Sequence, residues 1–389
     1  MNILITVSTY YPKKDGVQNV TQYMAEGLAK KGHNVKVVTS NRGVNIPFEE
    51  HNLVKIQRIN LYTRFGLYFG SKKEYVKLID EEASKADVII NVCTQNAFTD
   101  LILNRLGKYS CRKILYLHGM FNFKFSIVDF SGLETFCNKI WKELRWFFYY
   151  LNNGKNFKKY DVVTQLHDKD YANLFFKNKY NIESTIIGNA ISEDFLSVRN
   201  EINFEKPFEK YVIYLANYGD LKNQKLAIKQ FLNSNISSNI GLVLIGSSEN
   251  KYYKSLKKLE SNIRKKMKIA KNHKPILMLS NVDRKYISSY VSNAYLTIMT
   301  SKKEVFPMSI VESISVGVPF ICTNVGIVRY FLGGIVVNKN DDFKFWIEYL
   351  CGNHKMRELL SNVCVRFYKD NFLIEDKINI LENKLKVKE

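Results

Sequence analysis

The 389-residue sequence has few cysteines and no long uninterrupted run of apolar residues. Its six cysteines are scattered, with no pair at metal-ligand spacing, so they are expected to be buried free thiols. No apolar run approaches the roughly 18 residues of a membrane-spanning helix. Met1-Asn2-Ile3 enters an apolar stretch at once, without the basic leader of a signal peptide. These absences predict a cytoplasmic protein that is soluble or peripheral to a membrane.

Acidic residues are also scarce: 58 Lys and Arg stand against 37 Asp and Glu, a net charge of +21. Such a field attracts nucleic acid, anionic lipid or phosphorylated substrates, and charge alone does not choose among them. No nucleic-acid-binding motif accompanies it, so nucleic acid is not expected as a partner. A Gly-x-Gly-x-x-Gly fingerprint is missing as well, which removes the main support for a nicotinamide or flavin cofactor.

What the chain does have is a repeated alternation of apolar strands and amphipathic helices. Ile3 to Val7 is predicted to be a strand, the helix after it ends at Gly32, and the strand Val35 to Thr39 follows. After a polar stretch the pattern restarts with the strand Tyr211 to Ala216. Repeated alternation predicts parallel sheets covered by helices, and the length suits two domains of roughly 150 to 200 residues.

We therefore predict an α/β fold of two doubly wound, Rossmann-like lobes of parallel sheet that face each other across a cleft. A ligand is expected in that cleft, at the carboxyl ends of the strands. The predicted domains are residues 1–198 and 199–370, followed by a C-terminal helix within residues 371–389.

The most informative segment runs from Glu304 to Glu312, two carboxylates with seven residues between them. Tyr295 to Met299 is predicted to be a buried strand, and Met308 to Val316 a helix closed by Gly317. Free N–H groups and the dipole at a helix N-terminus favour an anion such as a diphosphate. The two acids would then accept hydrogen bonds from sugar hydroxyls. The alternative is a helix-terminal charge at Glu304 and a solvated helix residue at Glu312.

This segment resembles the signature of the family-4 retaining glycosyltransferases. Their pattern is Glu, any seven residues, Glu, a helix of small residues, Gly, a following Pro, a strand and a turn that contains Gly. Here Gly317 and Pro319 precede the strand Phe320 to Thr323 and the turn Asn324-Val325-Gly326. The resemblance implies the glycosyltransferase-B fold, with the acceptor on the N-lobe, the nucleotide sugar on the C-lobe and a last helix that crosses back to the N-lobe.

The resemblance implies catalytic roles for three residues. Glu304 would hold the donor sugar, His118 would contact that sugar, and Lys222 would neutralise the diphosphate. A fixed ammonium at Lys222 would stabilise the charge that develops on the leaving group. Taken alone, Lys222 would be an ordinary surface lysine and His118, at the end of a strand, a structural histidine.

Further residues are implied to bind the donor through its ribose and its diphosphate. Glu312 would hold the ribose. The helix that begins near Pro307 would present the amides of Met308 and Ser309 to the diphosphate.

Four more positions concern the loops around the donor. Gly16 would leave space for the phosphates, since only glycine keeps that space open, although a lone Gly in such a loop is more often a turn. Gly246 and Val282 match the family's base-binding edges, and both also suit plain turns. Asn217 stands where the family carries an arginine.

No metal and no cofactor are expected on this scheme, with the nucleotide-diphosphate sugar as co-substrate. The leaving diphosphate would help to deprotonate the acceptor on the same face of the sugar, so positioning and charge stabilisation would carry catalysis.

A stripe of apolar and aromatic residues runs at helical spacing from Leu133 to Leu151, with Lys139, Lys142 and Arg145 among them. Such a helix can lie in an anionic membrane surface and hold an enzyme near a lipid-linked acceptor. The same stripe is also typical of core packing, and both interpretations stay open.

Together the patterns predict a retaining, metal-independent glycosyltransferase. It would move a sugar from a nucleotide diphosphate to a hydroxyl of a surface polysaccharide, lipid-linked oligosaccharide or glycolipid, in the cytoplasm and peripherally on the inner face of the cell membrane. The alternative is a non-catalytic nucleotide-sugar-binding partner of another glycosyltransferase, because the family's arginine and its usual Gly-Gly are absent.

Overall fold

A computed structural model describes residues 1–12, 16–64, 66–120, 125, 130, 132–192, 195–196, 204–340 and 342–386. The chain forms two compact units. Unit 1 comprises Met1–Gly188 and Glu375–Glu389, and unit 2 comprises Asn189–Ile374. The predicted boundaries at 198/199 and 370/371 both fall inside unit 2. The physical reason is that Ile191 forms a parallel bridge with Leu373, which ties both ends of unit 2 together.

The strands are β1 (Asn2–Thr6), β2 (Asn34–Ser40), β3 (Phe48–His51), β4 (Val54–Ile59), β5 (Leu61–Arg64), β6 (Leu67–Gly70), β7 (Val88–Val92), β8 (Arg112–Tyr116), β9 (Val162–Gln165), β10 (Thr185–Ile186), β11 (Lys210–Leu215), β12 (Ile240–Gly246), β13 (Ile276–Ser280), β14 (Leu296–Met299), β15 (Phe320–Thr323) and β16 (Gly334–Val337).

The helices are α1 (Gly16–Lys30), α2 (Lys72–Ala83), α3 (Ala97–Asp100), α4 (Leu133–Phe157), α5 (Tyr171–Tyr180), α6 (Gln224–Asn233), α7 (Lys251–Met267), α8 (Arg284–Ser292), α9 (Met308–Ser315), α10 (Asp342–Gly352), α11 (His354–Asn371) and α12 (Ile374–Leu385). Among the described residues, every helix is too short or too polar to cross a bilayer.

Unit 1 is built on an eight-stranded sheet in the order β10-β9-β8-β7-β1-β2-β4-β3. All its pairs are parallel except β3 with β4, and β5 and β6 form a separate antiparallel hairpin. The central β7 is buried throughout, as expected for an apolar strand covered on both faces. The loops after β1, β7 and β8 therefore meet at one edge of the sheet.

Unit 2 is built on a six-stranded, entirely parallel sheet in the order β13-β12-β11-β14-β15-β16. The order reverses between β11 and β14, which is the switch point of a doubly wound sheet. Because β11 and β14 are neighbours, the loops that follow them lie side by side.

The last helix, α12, packs on unit 1. Ile378, Leu381 and Leu385 are buried, and a Cβ on Gly27 of α1 would overlap the side chain of Ile378. Lys31 adds ion pairs to Glu375 at 3.3 Å and to Glu382 at 3.1 Å. A bare glycine on α1 thus lets the two helices approach closely.

The expectation that all cysteines are buried is wrong for half of them. Cys111, Cys322 and Cys364 are buried, Cys93 and Cys351 are half-buried, and Cys137 on α4 is exposed.

Candidate functional site

In unit 2, the loop after β14 is joined by hydrogen bonds to the loop after β11. The Thr300 hydroxyl donates to the Asn223 carbonyl at 2.8 Å, and the Lys302 amide donates to the Leu221 carbonyl at 2.8 Å. Tyr214 contributes from β11, since its hydroxyl accepts from the Thr300 amide at 3.2 Å. The two loops therefore form one continuous surface at the switch point.

Lys222 and Glu304 meet on this surface. The Lys222 ammonium donates to Glu304 Oε1 at 2.6 Å, with 33% of the lysine side chain and 12% of the glutamate side chain exposed. The Lys222 backbone is held on both sides: its amide donates to the Gly219 carbonyl at 3.0 Å, and its carbonyl accepts from the Tyr214 hydroxyl. Lys222, which is predicted to bind the diphosphate, is thus oriented by Glu304, which is predicted to bind the sugar.

The turn after β15 fixes the backbone of Glu304. Gly326 has φ +60°, and a Cβ there would overlap the Val305 carbonyl oxygen and crowd that of Glu304. The Ile327 amide donates to the Val305 carbonyl at 3.2 Å. The glycine of this turn is therefore required by a close backbone approach as well as by its φ.

Helix α9 begins directly after this segment. Pro307 precedes it, and the Ile310 amide donates back to the Pro307 carbonyl at 3.2 Å. Met308 and Ser309 are the first two helical residues, so their amides have no acceptor within the helix. The N-terminal turn and its dipole thus lie a few residues from Glu304, as an anion site requires.

Glu312 is buried on α9, which contradicts the alternative of a solvated helix residue. Its side chain is 4% exposed, and Oε1 accepts from Arg284 Nη2 at 3.1 Å. Burial raises the pKa of Glu312, while the Arg284 guanidinium opposes the rise. The Arg284 guanidinium therefore favours the ionised form of the acid predicted to hold the ribose.

Sequence reasoning missed Arg284. The available signal was its position: a basic residue in the first turn of α8, where the helix dipole disfavours a cation. Such a cation needs a compensating acid, and the chain supplies one on the neighbouring helix.

The predicted base-binding edges lie where β12 and β13 end. A Cβ on Gly246 would overlap the ring of Tyr218, whose hydroxyl donates to the Leu244 carbonyl at 2.9 Å and the Leu279 carbonyl at 2.7 Å. The glycine thus makes room for a buried tyrosine, and its contact with a base stays a prediction.

Two more predicted residues lie in nearby loops of unit 2. Asn217, in the place of the family's arginine, is exposed, and Val282 is half-buried. The Asn217 carbonyl accepts from the Gln224 side chain at 3.0 Å, which ties this loop to the start of α6. Their roles at a donor also stay predictions.

His118 lies in unit 1, two residues after β8. It is half-buried, and its Nε2 has no hydrogen-bond partner among the described residues. Burial lowers the pKa of His118 to about 4, so the imidazole is neutral near pH 7. The Nε2 atom is itself buried, so the contact of His118 with a donor sugar stays a prediction.

Gly16 is the first residue of α1 in unit 1. A Cβ at this position would meet nothing within 4 Å, so the space beside it is open. The preceding residues 13–15, which include Asp15, lie outside the described residues.

Two family models match the chain. Residues 14–169 match glycosyltransferase family 4, and residues 198–356 match the glycosyl transferases group 1. The matches do not overlap, and together they include every predicted site residue.

The chain is also similar to a protein of Klebsiella pneumoniae described as an uncharacterized 42.6 kDa protein in the cps region. The two are 26% identical over 242 residues, which are 54% of this chain and 64% of that protein. The match therefore spans less than two thirds of the relative's length.

Solved structures resemble the chain over nearly its whole length. Sucrose-phosphate synthase from Thermosynechococcus elongatus has a TM-score of 0.72 at 14% identity and covers 99% of this chain and 98% of its own. Anabaena Alr3699/HepE in complex with UDP and glucose has 0.65 at 12%, covering 99% of each. WaaG, a glycosyltransferase involved in lipopolysaccharide biosynthesis, has 0.63 at 13%, covering 98% of each. These likenesses confirm the predicted fold class.

Proposed function

Since the chain carries the family 4 and group 1 domains of the glycosyltransferases, we propose that it transfers a sugar from a nucleotide diphosphate to a hydroxyl of a glycan or glycolipid. The observation that carries the proposal is the Lys222–Glu304 pair at the N-terminal end of α9, with Glu312 one helix turn further in. A cation, a helix N-terminus and two acids of this kind complement a sugar nucleotide.

Each group has a separate task in the proposed reaction. The Lys222 ammonium and the amides of Met308 and Ser309 hold the diphosphate and stabilise its growing charge as the bond to the sugar breaks. Glu304 accepts hydrogen bonds from the donor sugar, and Glu312 accepts them from the ribose.

The bond changes proposed are those of a retaining transfer without a metal. The bond between the anomeric carbon and the diphosphate oxygen breaks, a bond to the acceptor oxygen forms on the same face, and the acceptor proton passes to the leaving diphosphate. The imidazole of His118 is neutral near pH 7, so the positive charge in this scheme comes from Lys222 and the helix N-terminus. Catalysis then rests on orientation and charge stabilisation.

Alanine variants test the site directly. Glu304→Ala and Lys222→Ala are expected to abolish transfer while the protein stays folded, and Glu312→Ala is expected mainly to weaken nucleotide binding. Lys302→Ala is the matched control, because Lys302 lies in the same loop but pairs with Asp220 at 2.7 Å. Thermal-shift screening with uridine, guanosine, adenosine and cytidine diphosphates and their sugars selects the donor for the assay.

Two results would contradict the assignment: wild-type transfer rates in both Glu304→Ala and Lys222→Ala, or an equal loss of transfer in Lys302→Ala. Binding of a nucleotide sugar without turnover, whatever the acceptor, would favour the alternative of a non-catalytic partner. That alternative keeps its motivation in Asn217, which stands in the place of the family's arginine.

For the acceptor, we propose a surface polysaccharide precursor or a lipid-linked glycan at the cytoplasmic face of the membrane. The similarity to a protein described as lying in the cps region supports a polysaccharide precursor. The exposed apolar surface of α4 supports a lipid-linked glycan.

A further inference from the structure

The apolar stripe of α4 faces solvent. A 25-residue helix, α4 buries only Glu143, Tyr150 and Phe157. On its outer side six large apolar side chains are exposed by 46–80%, and we call them the anchor face: Leu133, Trp141, Leu144, Phe147, Phe148 and Leu151. Among the described residues, most of this stripe is therefore not packed into a core. A contiguous apolar surface of this size normally has a partner.

The β5–β6 hairpin extends the anchor face. Leu67 is 63% exposed and Phe69 is 37% exposed. Both line a pocket of about 490 Å³ that Phe148 closes from α4. Hairpin and helix thus form one apolar surface within unit 1.

Cations border the same pocket. Arg145 of α4 and Lys72 at the start of α2 both line it. Gly66 has φ +75°, and a Cβ there would overlap the Arg145 guanidinium, which also lies 4.2 Å from the Trp146 ring centroid. The missing side chain of Gly66 therefore provides the space that the Arg145 guanidinium occupies.

A shared carboxylate joins two residues of the pocket lining. Asp100 accepts from Tyr149 of α4 at 2.6 Å and from Tyr68 of the hairpin. Both tyrosines line the pocket. The hydrogen bonds to Asp100 therefore connect the helix wall of the pocket to its hairpin wall.

Charge selects the partner. Between residues 132 and 159 the basic side chains are Lys139, Lys142, Arg145, Lys155, Lys158 and Lys159, and the acidic ones are Glu134 and Glu143. One of the two acids, Glu143, is already paired with Lys139. An apolar helix face with a basic surplus is typical of helices that lie in an anionic membrane interface.

We propose that this surface docks on an anionic membrane, with the anchor face in the acyl region and the phosphate of one lipid headgroup in the pocket beside Arg145 and Lys72. This deepens the acceptor half of the proposed function, because it brings a lipid-held acceptor to unit 1. Docking needs no sugar transfer, so the two proposals can fail separately.

Vesicle flotation tests the docking. The full chain is mixed with vesicles of phosphatidylcholine alone or of phosphatidylcholine with phosphatidylglycerol. Wild type is expected to float with the anionic vesicles at least tenfold better than with the neutral ones. Trp141→Ser with Phe148→Ser is expected to lower flotation at least tenfold, while Leu359→Ser, at a residue 58% exposed on α11, leaves it unchanged.

Charge variants test the pocket. Arg145→Gln and Lys72→Gln are expected to reduce the preference for anionic vesicles severalfold, and Lys265→Gln on α7 controls for the loss of one positive charge. Because Arg145 packs against the hairpin, melting curves check its variant, and the exposed Lys72 gives an independent reading. A loss with Lys265→Gln equal to that of the pocket variants would overturn the pocket.

Three further outcomes would overturn the docking proposal. They are absence of flotation with anionic vesicles, flotation of the Trp141→Ser and Phe148→Ser double variant at the wild-type level, and a concentration-dependent dimer that the same double variant abolishes. The last would make the anchor face an interface between copies of the chain.

Discussion

At the residue scale, Arg284 and Glu312 illustrate how a cation opposes the neutralisation of a buried acid. Glu312 is nearly out of reach of water, and burial alone would favour the neutral carboxyl group. The guanidinium at 3.1 Å opposes this and also fixes one carboxylate oxygen. Arg284 is thus a positioning residue for the proposed ribose contact, while Lys222 plays the corresponding part for Glu304.

Replacing Arg284 by Met is expected to make nucleotide affinity depend on pH. Without the guanidinium the pKa of Glu312 rises further, so a larger fraction of the carboxyl group is protonated at a given pH and accepts ribose hydroxyls poorly. Affinity should fall by about tenfold, or about 1.4 kcal/mol, at pH 7 and recover as the pH rises. Calorimetric titration with the nucleoside diphosphate from the screen, between pH 6 and 9, measures this.

The neighbouring Lys285 provides the control for this prediction. It is exposed and follows Arg284 directly in the first turn of α8, so Lys285→Met removes one positive charge from the same turn. Arg284→Lys, which keeps a cation, should retain most of the affinity. An affinity of Arg284→Met that is unchanged and flat with pH would refute the role.

At the element scale, the carboxylate of Asp100 joins α3, α4 and the β5–β6 hairpin. Its partners are Tyr149, Tyr68 and the Gln95 amide, at 3.2 Å. Burial raises the pKa of Asp100 to about 6, more than these donors lower it. The junction is therefore most stable with the carboxyl group protonated.

We expect the stability of unit 1 to fall as the pH rises from about 4 to about 6. The pKa of Asp100 is higher in the folded state than in the unfolded state, so the folded state binds more protons in this window. The free energy of unfolding therefore falls as the pH rises through the window, by on the order of 2–3 kcal/mol in total. Asp100→Asn should flatten this part of the profile. Urea unfolding at pH 4.5 and 6.5 compares the two proteins, and an unchanged slope in Asp100→Asn would contradict the prediction.

The α1–α12 pair makes a second prediction at this scale. Ile378→Ala is expected to destabilise unit 1 by about 2–5 kcal/mol, because it removes a side chain that fills the space over Gly27. Glu375→Ala should cost less than about 1 kcal/mol, since its carboxylate is exposed. Thermal melts compare the stability lost in the two variants. A larger loss for Glu375→Ala than for Ile378→Ala would contradict the prediction.

At the scale of the whole molecule, the cysteines differ in how far their thiols are exposed to solvent. Burial raises the pKa of the Cys111, Cys322 and Cys364 thiols, so these residues are both shielded and poorly ionised. Cys137 is exposed on α4.

A thiol reagent such as dithionitrobenzoate should therefore label Cys137 first. Cys111, Cys322 and Cys364 should react only after denaturant is added, and Cys137→Ser should remove the fastest phase. A fast phase that survives in Cys137→Ser would show that another part of the fold opens readily.

The sequence by itself determined the architecture of the two lobes and the position of the proposed donor motif. Strand periodicity and helix stop signals are local, so Gly317 and the run from Glu304 to Glu312 could be interpreted without knowing any distant contact. Locally weak elements gave no such signal, and the short strands β3 to β6 were not predicted.

Only the tertiary structure decided which charges meet and which apolar face stays uncovered. Lys222 reaches Glu304 across 82 positions because the strand order places β11 beside β14, and Arg284 reaches Glu312 because α8 and α9 are neighbours. The stripe of α4 has the same spacing whether it faces a core or a membrane, since periodicity defines a face but not its partner. Strand order and burial arise from packing of the whole chain, and they bring the residues of the candidate site together.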